Sequence, residues 1–323
     1  MAFSSYPNGI SNLVLRGTPL ISTNPGRVFF CNNSGLTQPG QIGGSDGNPG
    51  TYQRPFASLN YAITQCVANR GDIIILAPNH TETITSATSI VLGVAGVAII
   101  GLGTGSSRPT ITYTTANTAT LAVTAANITI QNVLFVANFL NVAGAITATG
   151  TATPKDLSVD NCEFRDTAGA TNFISTVLGN ATSNSFDGLS YTNNKVYGFG
   201  VSSGTCAISI NAINDRISIL DNYVVYPALN DTAGLVKFGV NSQRLLRIGK
   251  NVLYRPSTST TGGSLFSGGG TTFTGFVYDN YSYHLNATTG ILAPTGTGLA
   301  FQNNYCMFLG AVDKSGALNP VAV

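Results

Sequence analysis

A hydrophobic pattern that returns about every thirty residues, asparagines at one point of each return, and very little charge together predict an all-β chain. The expected fold is a right-handed, single-stranded parallel β-helix of about nine to ten coils, with an N-terminal capping helix and an extended N-terminal arm. The pattern is carried by VAIIGLGT (97–104), ITIQNVLF (128–135), LSVDNCEF (157–164), LSYTNNKV (189–196), ISILDNYV (217–224), LRIGKNVL (246–253), FVYDNYSY (276–283) and LAFQNNYC (299–306). Positions 1 and 3 are apolar or aromatic in every window, although only 43% of the chain is apolar. Such a run arises by chance about once in a million, and alternation at period two is the mark of a strand with one face toward a core.

The polar break follows at the fifth or sixth position, with Asn132, Asn161, Asn193, Asn222, Asn251, Asn280 and Asn303, and with Asn194 and Asn304 beside them. Asparagine tolerates the left-handed backbone of a sharp bend, and its amide can bond to the same group one repeat above or below. These residues are therefore expected to form a structural ladder. Propeller blades need four strands in about forty residues, and hairpins need Asn-Gly or Asp-Gly turns between matched strands. Stacking in register satisfies the pattern instead, and parallel crossovers are right-handed.

The chain divides into an arm (1–54), the β-helix with its cap (55–309) and a C-terminal tail (310–323). The arm is rich in Gly, Pro, Asn and Ser, as in GQIGGSDGNPG (40–50), and has little periodic apolar content. In 55–72, Phe56, Leu59, Ile63, Cys66 and Val67 fall at helical spacing behind Pro55, which predicts an amphipathic helix lidding the first coil. GDIIIL (71–76) is expected to be the first buried strand.

With 15 Lys+Arg against 13 Asp+Glu, 9% charge in all, the chain has no basic footprint for nucleic acid or an anionic membrane. No apolar run approaches the ~20 residues of a membrane span, and residues 1–16 lack an export pattern. Cys31, Cys66, Cys162, Cys206 and Cys306 are widely spaced and are read as reduced, mostly buried small hydrophobes. With only His80 and His284 to help them, no metal site and no cofactor are expected.

The windows resemble the I-x-I-x-N-x-x-F coils of the pectate-lyase-like superfamily of right-handed β-helices: Ile128, Ile130, Asn132 and Phe135 match, as do Leu157, Val159, Asn161 and Phe164. The stretches GRVFFCNNSG (26–35) and GSDGNPGTYQRPFASLNYAITQCVANRGDIIILAPNHTETI (44–84) resemble the opening of β-helix proteins of tailed-phage virions. The superfamily's catalytic arginine motif and its Asn-x-Asp, Asp-Asp and Gly-His patterns are not recognisable, so no catalytic set carries over.

The candidate catalytic residues are acids at matching places on neighbouring coils. Asp156, Asp187 and Asp215 lie just before the strand on three successive coils, where two of them would stand about 5 Å apart, the separation of a retaining glycosidase pair. The competing reading is that of ordinary turn aspartates bonded to local amides. Asp160, Glu163 and Asp166, with Arg165, occupy one coil and read as solvated or interface residues. His80 with Glu82 reads as a loop cap, and His284 as an outward or turn residue. The glycine runs 101–107 and 261–272 read as loops, and the Asn286 sequon as inert without export. Tyr223, Tyr226, Tyr254, Tyr281 and Tyr283 are expected on an exposed flank, to stack on sugars or to bury against a partner.

What these resemblances and the charge-poor flank imply is a non-enzymatic structural protein of a bacteriophage virion, assembled in the host cytoplasm. On this expectation it is a homotrimeric capsid decoration (cement) protein held on the major capsid protein or other virion proteins. The alternative is a tail spike or fibre that binds, or also cleaves, host surface polysaccharide.

Overall fold

In the computed structural model the chain is nearly all β and winds as a parallel β-solenoid. The structure describes residues 12–15, 18–21, 26–199, 206–226, 234–239, 241–255, 266–268, 272–284, 292–294, 297–308 and 316–318. Each coil gives one strand to each of three sheets. The coil Thr129–Gln131, Leu134–Ala137, Ile146–Ala148 is typical, and the next, Ser158–Asp160, Glu163–Asp166, Ser175–Leu178, pairs with it strand on strand. Among the described residues the third sheet has eight strands, which makes eight complete coils there, fewer than the nine or ten expected. The shortfall lies at the ends. Val28–Cys31 joins the first sheet alone, and Gly316–Leu318 turns back antiparallel on Asn304–Phe308 instead of starting another coil.

The period-two windows form the first sheet and the start of the second. Ile74, Ile99, Ile130, Val159, Tyr191, Ile219, Ile248 and Val277 stand in one register column, each at most 1% exposed. A second column holds Ile111, Phe135, Phe164, Val196, Val224 and Leu253, in which the rings of Phe135 and Phe164 stack at 4.8 Å. Each such side chain contributes roughly 1.5–3 kcal/mol on burial.

One window is displaced. The sequence pattern puts Phe276 and Tyr278 in the core, but Val277 pairs with Ile248 and points inward, which leaves Phe276 61% exposed. The cause is the asparagine: Asn280 bonds to Asn251, and that contact fixes the register one residue away from the apolar alternation. A one-residue slip turns every side chain to the other face. The slack is taken up on the preceding strand, where the register shifts between Gln243 and Leu246; opposite Leu246 stands Gly275, whose φ of 139° and closeness to the Leu246 carbonyl leave no room for a side chain.

The cap is shorter than expected. The helix runs Leu59–Gln65, with Ser58 as N-cap accepting from the Tyr61 amide at 3.2 Å. Asp46 in turn accepts from the Ala57 and Ser58 amides and from the Ser58 hydroxyl. Pro55 does not start the helix, because Phe56 is extended and exchanges backbone bonds with Phe30 and Asn32. Leu59, Ala62 and Ile63 are buried, while Val67 is half exposed. Within the segment read as an arm, Val28–Cys31 is a parallel neighbour of Ile73–Leu76, so it, and not GDIIIL, begins the first sheet. Upstream, Asn12–Leu15 and Thr18–Ile21 pair as an antiparallel hairpin.

Candidate functional site

The displaced window builds the feature of most chemical interest. Tyr278 leaves the core on the outward face of the first sheet, in register with Gly249 on the preceding coil. A Cβ placed on Gly249 would lie 2.5, 2.7 and 2.8 Å from Cζ, Cε2 and Cε1 of the Tyr278 ring. Such similar distances put that position over the face of the ring. The half-buried phenol therefore packs face-on against the bare backbone of its neighbour. Arg247, Phe276, Ala300, Phe301 and Gln302 complete a groove of about 510 Å³ around it. An aromatic face bordered by a guanidinium and an amide matches a ligand with both C–H faces and hydroxyls.

Around the corner, the outward face of the second sheet carries Tyr197, Tyr223, Tyr254, Tyr281 and Tyr305, all 38–53% exposed, and the partly exposed Tyr283. Tyr254 stacks on Tyr283 at 4.9 Å and Tyr281 on Tyr305 at 5.4 Å, with interplanar angles of 13° and 12°. Stacked rings cover one another's faces and present edges and hydroxyls. Tyr223, Tyr254 and Tyr281 are thus exposed as the sequence suggests, but Tyr226 is not: it is 3% exposed, its ring packed against Gly198. At the N-terminal end of this face, Arg165, Asp166, Tyr197, Gly198, Phe199 and Val225 line a cavity of about 420 Å³, with the Arg165 guanidinium 6.0 Å from the Tyr197 ring centre.

Asp166 sits at the floor of that cavity. It accepts from the Phe173 amide at 2.9 Å and from the Phe199 amide at 2.8 Å. Burial pushes its carboxyl up to about 6 against the pull of those two donors. Both oxygens tie backbone together, which is a positioning role. Its neighbour Glu163 is held by Arg165 and by Arg108, and Asp160 accepts from Gln131, Thr192 and Asn193.

The acids singled out as a glycosidase pair are brought to one edge, but each is engaged. Arg216 stands 3.4 Å from Asp156, Lys155 stands 4.0 Å from Asp187, and Arg244 holds Asp215 with two bonds of 2.6 Å. Asp187 also accepts from the Asp215 amide at 2.8 Å. The interleaved cations make this column a coil-to-coil clamp. Lys155 and Arg216 adjoin Asp156 and Asp215 in sequence, whereas Arg244 reaches Asp215 from the next coil.

The asparagines split into two tracks. Asn132, Asn161, Asn193 and Asn303 occupy left-handed corners at φ 49–58°, a place taken by Asp221, Lys250 and Asp279 on the other coils. Asn222, Asn251 and Asn280, with Asn194 and Asn304, point inward and form the buried ladder: Asn222 donates to Asn251, Asn251 to Asn280 and Asn280 to Asn304, each at 2.9 Å. The expected single ladder thus mixed an outward corner with an inward rung one residue later. In the earlier coils Val133 and Cys162 fill the inward place.

His80 is buried. Its Nδ1 accepts from the Asn33 amide at 3.2 Å, so Nε2 donates to Glu82 at 3.0 Å, while Glu82 accepts from the Leu59 amide at the head of the helix. The pair fastens the cap. The side chain of His284 and the Asn286 sequon lie outside the described residues, as does most of the glycine run 261–272, in which Phe266–Gly268 is a strand of the third sheet and not loop. Gly105–Ser107 is a short 3₁₀ turn between the first and second sheets. Burial raises the thiols of Cys31, Cys66, Cys162 and Cys206, the last three to about 12, 12 and 11, which leaves them poor nucleophiles. Among the described residues no three His, Cys, Asp or Glu converge as metal ligands, and no helix is long and apolar enough to cross a membrane.

No family model matches the chain, and no curated protein does. Among solved structures a rhamnogalacturonan lyase is similar, at 13% identity with a TM-score of 0.47, over 87% of this chain and 74% of that one. The comparison runs against the expectation of a chain without enzymatic activity, because the similar solved structure is that of a lyase.

Proposed function

We propose that this chain is a glycan-binding β-helix protein, with the groove around Tyr278 as its primary sugar site. One observation carries the reading: an aromatic ring packed face-on over Gly249 in an open groove, flanked by Arg247 and Gln302. Sugar rings offer a C–H face to such a platform and hydroxyls to its polar border. The phage-like block at 26–84 supports placing the protein on a virion as a receptor-binding spike or fibre, and a homotrimer is part of that proposal.

The test is equilibrium binding of the purified chain to host surface polysaccharide, compared with Tyr278→Ala. The side chain lies outside the core, so the variant folds. Affinity is expected to fall at least about tenfold, the size of a single dominant contact. Equal affinity in the two proteins, or binding by neither, would remove the reading.

A further inference from the structure

The two aromatic sites are not isolated. Tyr197 and Tyr278 are three coils apart, since Lys195–Tyr197 pairs with Tyr223–Val225, that strand with Val252–Arg255, and that one with Tyr281–His284 on the coil of Tyr278. At ~4.8 Å per coil they stand about 14 Å apart along the axis, farther than a disaccharide reaches. The space between them is paved by Tyr223, Tyr254 and Tyr281, whose exposed edges and hydroxyls continue the surface.

The charges along this strip alternate. Glu163 is paired to Arg165 and lies opposite Lys195, and the corner beside the tyrosines runs Asp221, Lys250, Asp279 on successive coils, all at positive φ. Acids and bases interspersed in this way set up no extended field of one sign to draw in a polyanion, and polar groups of both signs suit the donors and acceptors of sugar hydroxyls.

The geometry points to a single extended track, from the Arg165–Tyr197 cavity over the tyrosine edges to the Tyr278 groove, that binds one uncharged polysaccharide chain lengthwise. This rests on the glycan-binding reading of the Tyr278 groove and adds to it the ligand class, its direction and a minimum length. The ends act as linked subsites, so a ligand too short to reach both loses the benefit of the second.

The experiment is a length series, disaccharide to octasaccharide, of neutral glucan, mannan and galactan oligomers, with oligogalacturonates as the acidic arm. Each is titrated at low and high salt against the full chain, Tyr197→Ala and Tyr278→Ala. The expected result is an affinity that climbs about tenfold or more between the di- or trisaccharide and the longer neutral oligomers, without dependence on salt. Tyr197→Ala should erase that climb and leave the short oligomers unaffected. Binding that is independent of length, or a silent Tyr197→Ala beside a damaging Tyr278→Ala, overturns the track and leaves the groove standing. Salt-sensitive binding confined to the acidic arm overturns the uncharged class. No binding in any arm overturns both the track and the groove.

Discussion

Tyr278 and Gly249 face each other across two strands of the first sheet, and the ring covers the place where a Cβ would be, 2.5 Å from Cζ. Gly249→Val is expected to lift the ring, because the contact is with the far end of a flexible side chain and not with backbone. Glycan affinity should fall about as far as in Tyr278→Ala, with unfolding free energy within about 1 kcal/mol of the parent. Denaturant titration and binding on the same sample check it, and intact affinity would show that the ring's flat pose is irrelevant.

Asn251 and Asn161 look alike in sequence and should behave differently. The Asn251 amide donates to Ile219 and Asn280 and accepts from the backbone and side chain of Asn222, all inside the core. Asn251→Ala orphans several buried groups and should cost on the order of 3 kcal/mol or more. Asn161 sits at an exposed corner with φ 49° and one 3.4 Å contact to Asn132. Asn161→Ala should cost about 1–2 kcal/mol, chiefly for a left-handed alanine. Urea midpoints of the two variants give the comparison.

Asp166 and Asp72 should report pH with opposite sign. Burial raises Asp166 from 3.8 to about 6, so the folded state holds its proton more tightly. Its contribution is complete below the unfolded value and is lost as pH rises through about 6. The stability of the parent relative to Asp166→Asn should therefore fall between pH 4 and pH 7, by about 3 kcal/mol at most. For Asp72 burial pushes upward, but the bonds from Arg70 and from the Val67 and Arg27 amides outweigh it and hold the carboxyl below its ordinary value. The advantage of the parent over Asp72→Asn should be present at neutral pH and disappear as pH falls through the folded value. Unfolding curves across pH for both pairs decide the signs.

The coil, its period and the left-handed corners were legible because every repeat restates them: Ile128, Ile130 and Asn132 already define a strand, a face and a bend. What the pattern hid was register. In FVYDNYSY the alternating aromatics Phe276 and Tyr278 imitate a core strand, and only the buried amide of Asn280 shows that Val277 is the inward residue. Aligning the Asp221-Asn222, Lys250-Asn251 and Asp279-Asn280 pairs would have exposed the slip, and with it Phe276 and Tyr278. The role of Asp187 and Asp215 was hidden for another reason. Whether acids on adjacent coils form a reactive pair depends on where Lys155, Arg216 and Arg244 reach, and spacing alone does not record that. Tyr226 reads as flank but is buried, since Gly198 leaves room for its ring.

From Asn194 to Asn304 each rung asks of the next only another amide of the same pose. A copied turn inserted between Asn251 and Asn280 would meet its own likeness above and below, and the rod would grow by one step without disturbing either end. The body of this protein is in that sense a ruler whose graduation is fixed and whose length is free, so duplication offers a simple route by which relatives could reach farther from whatever surface holds them.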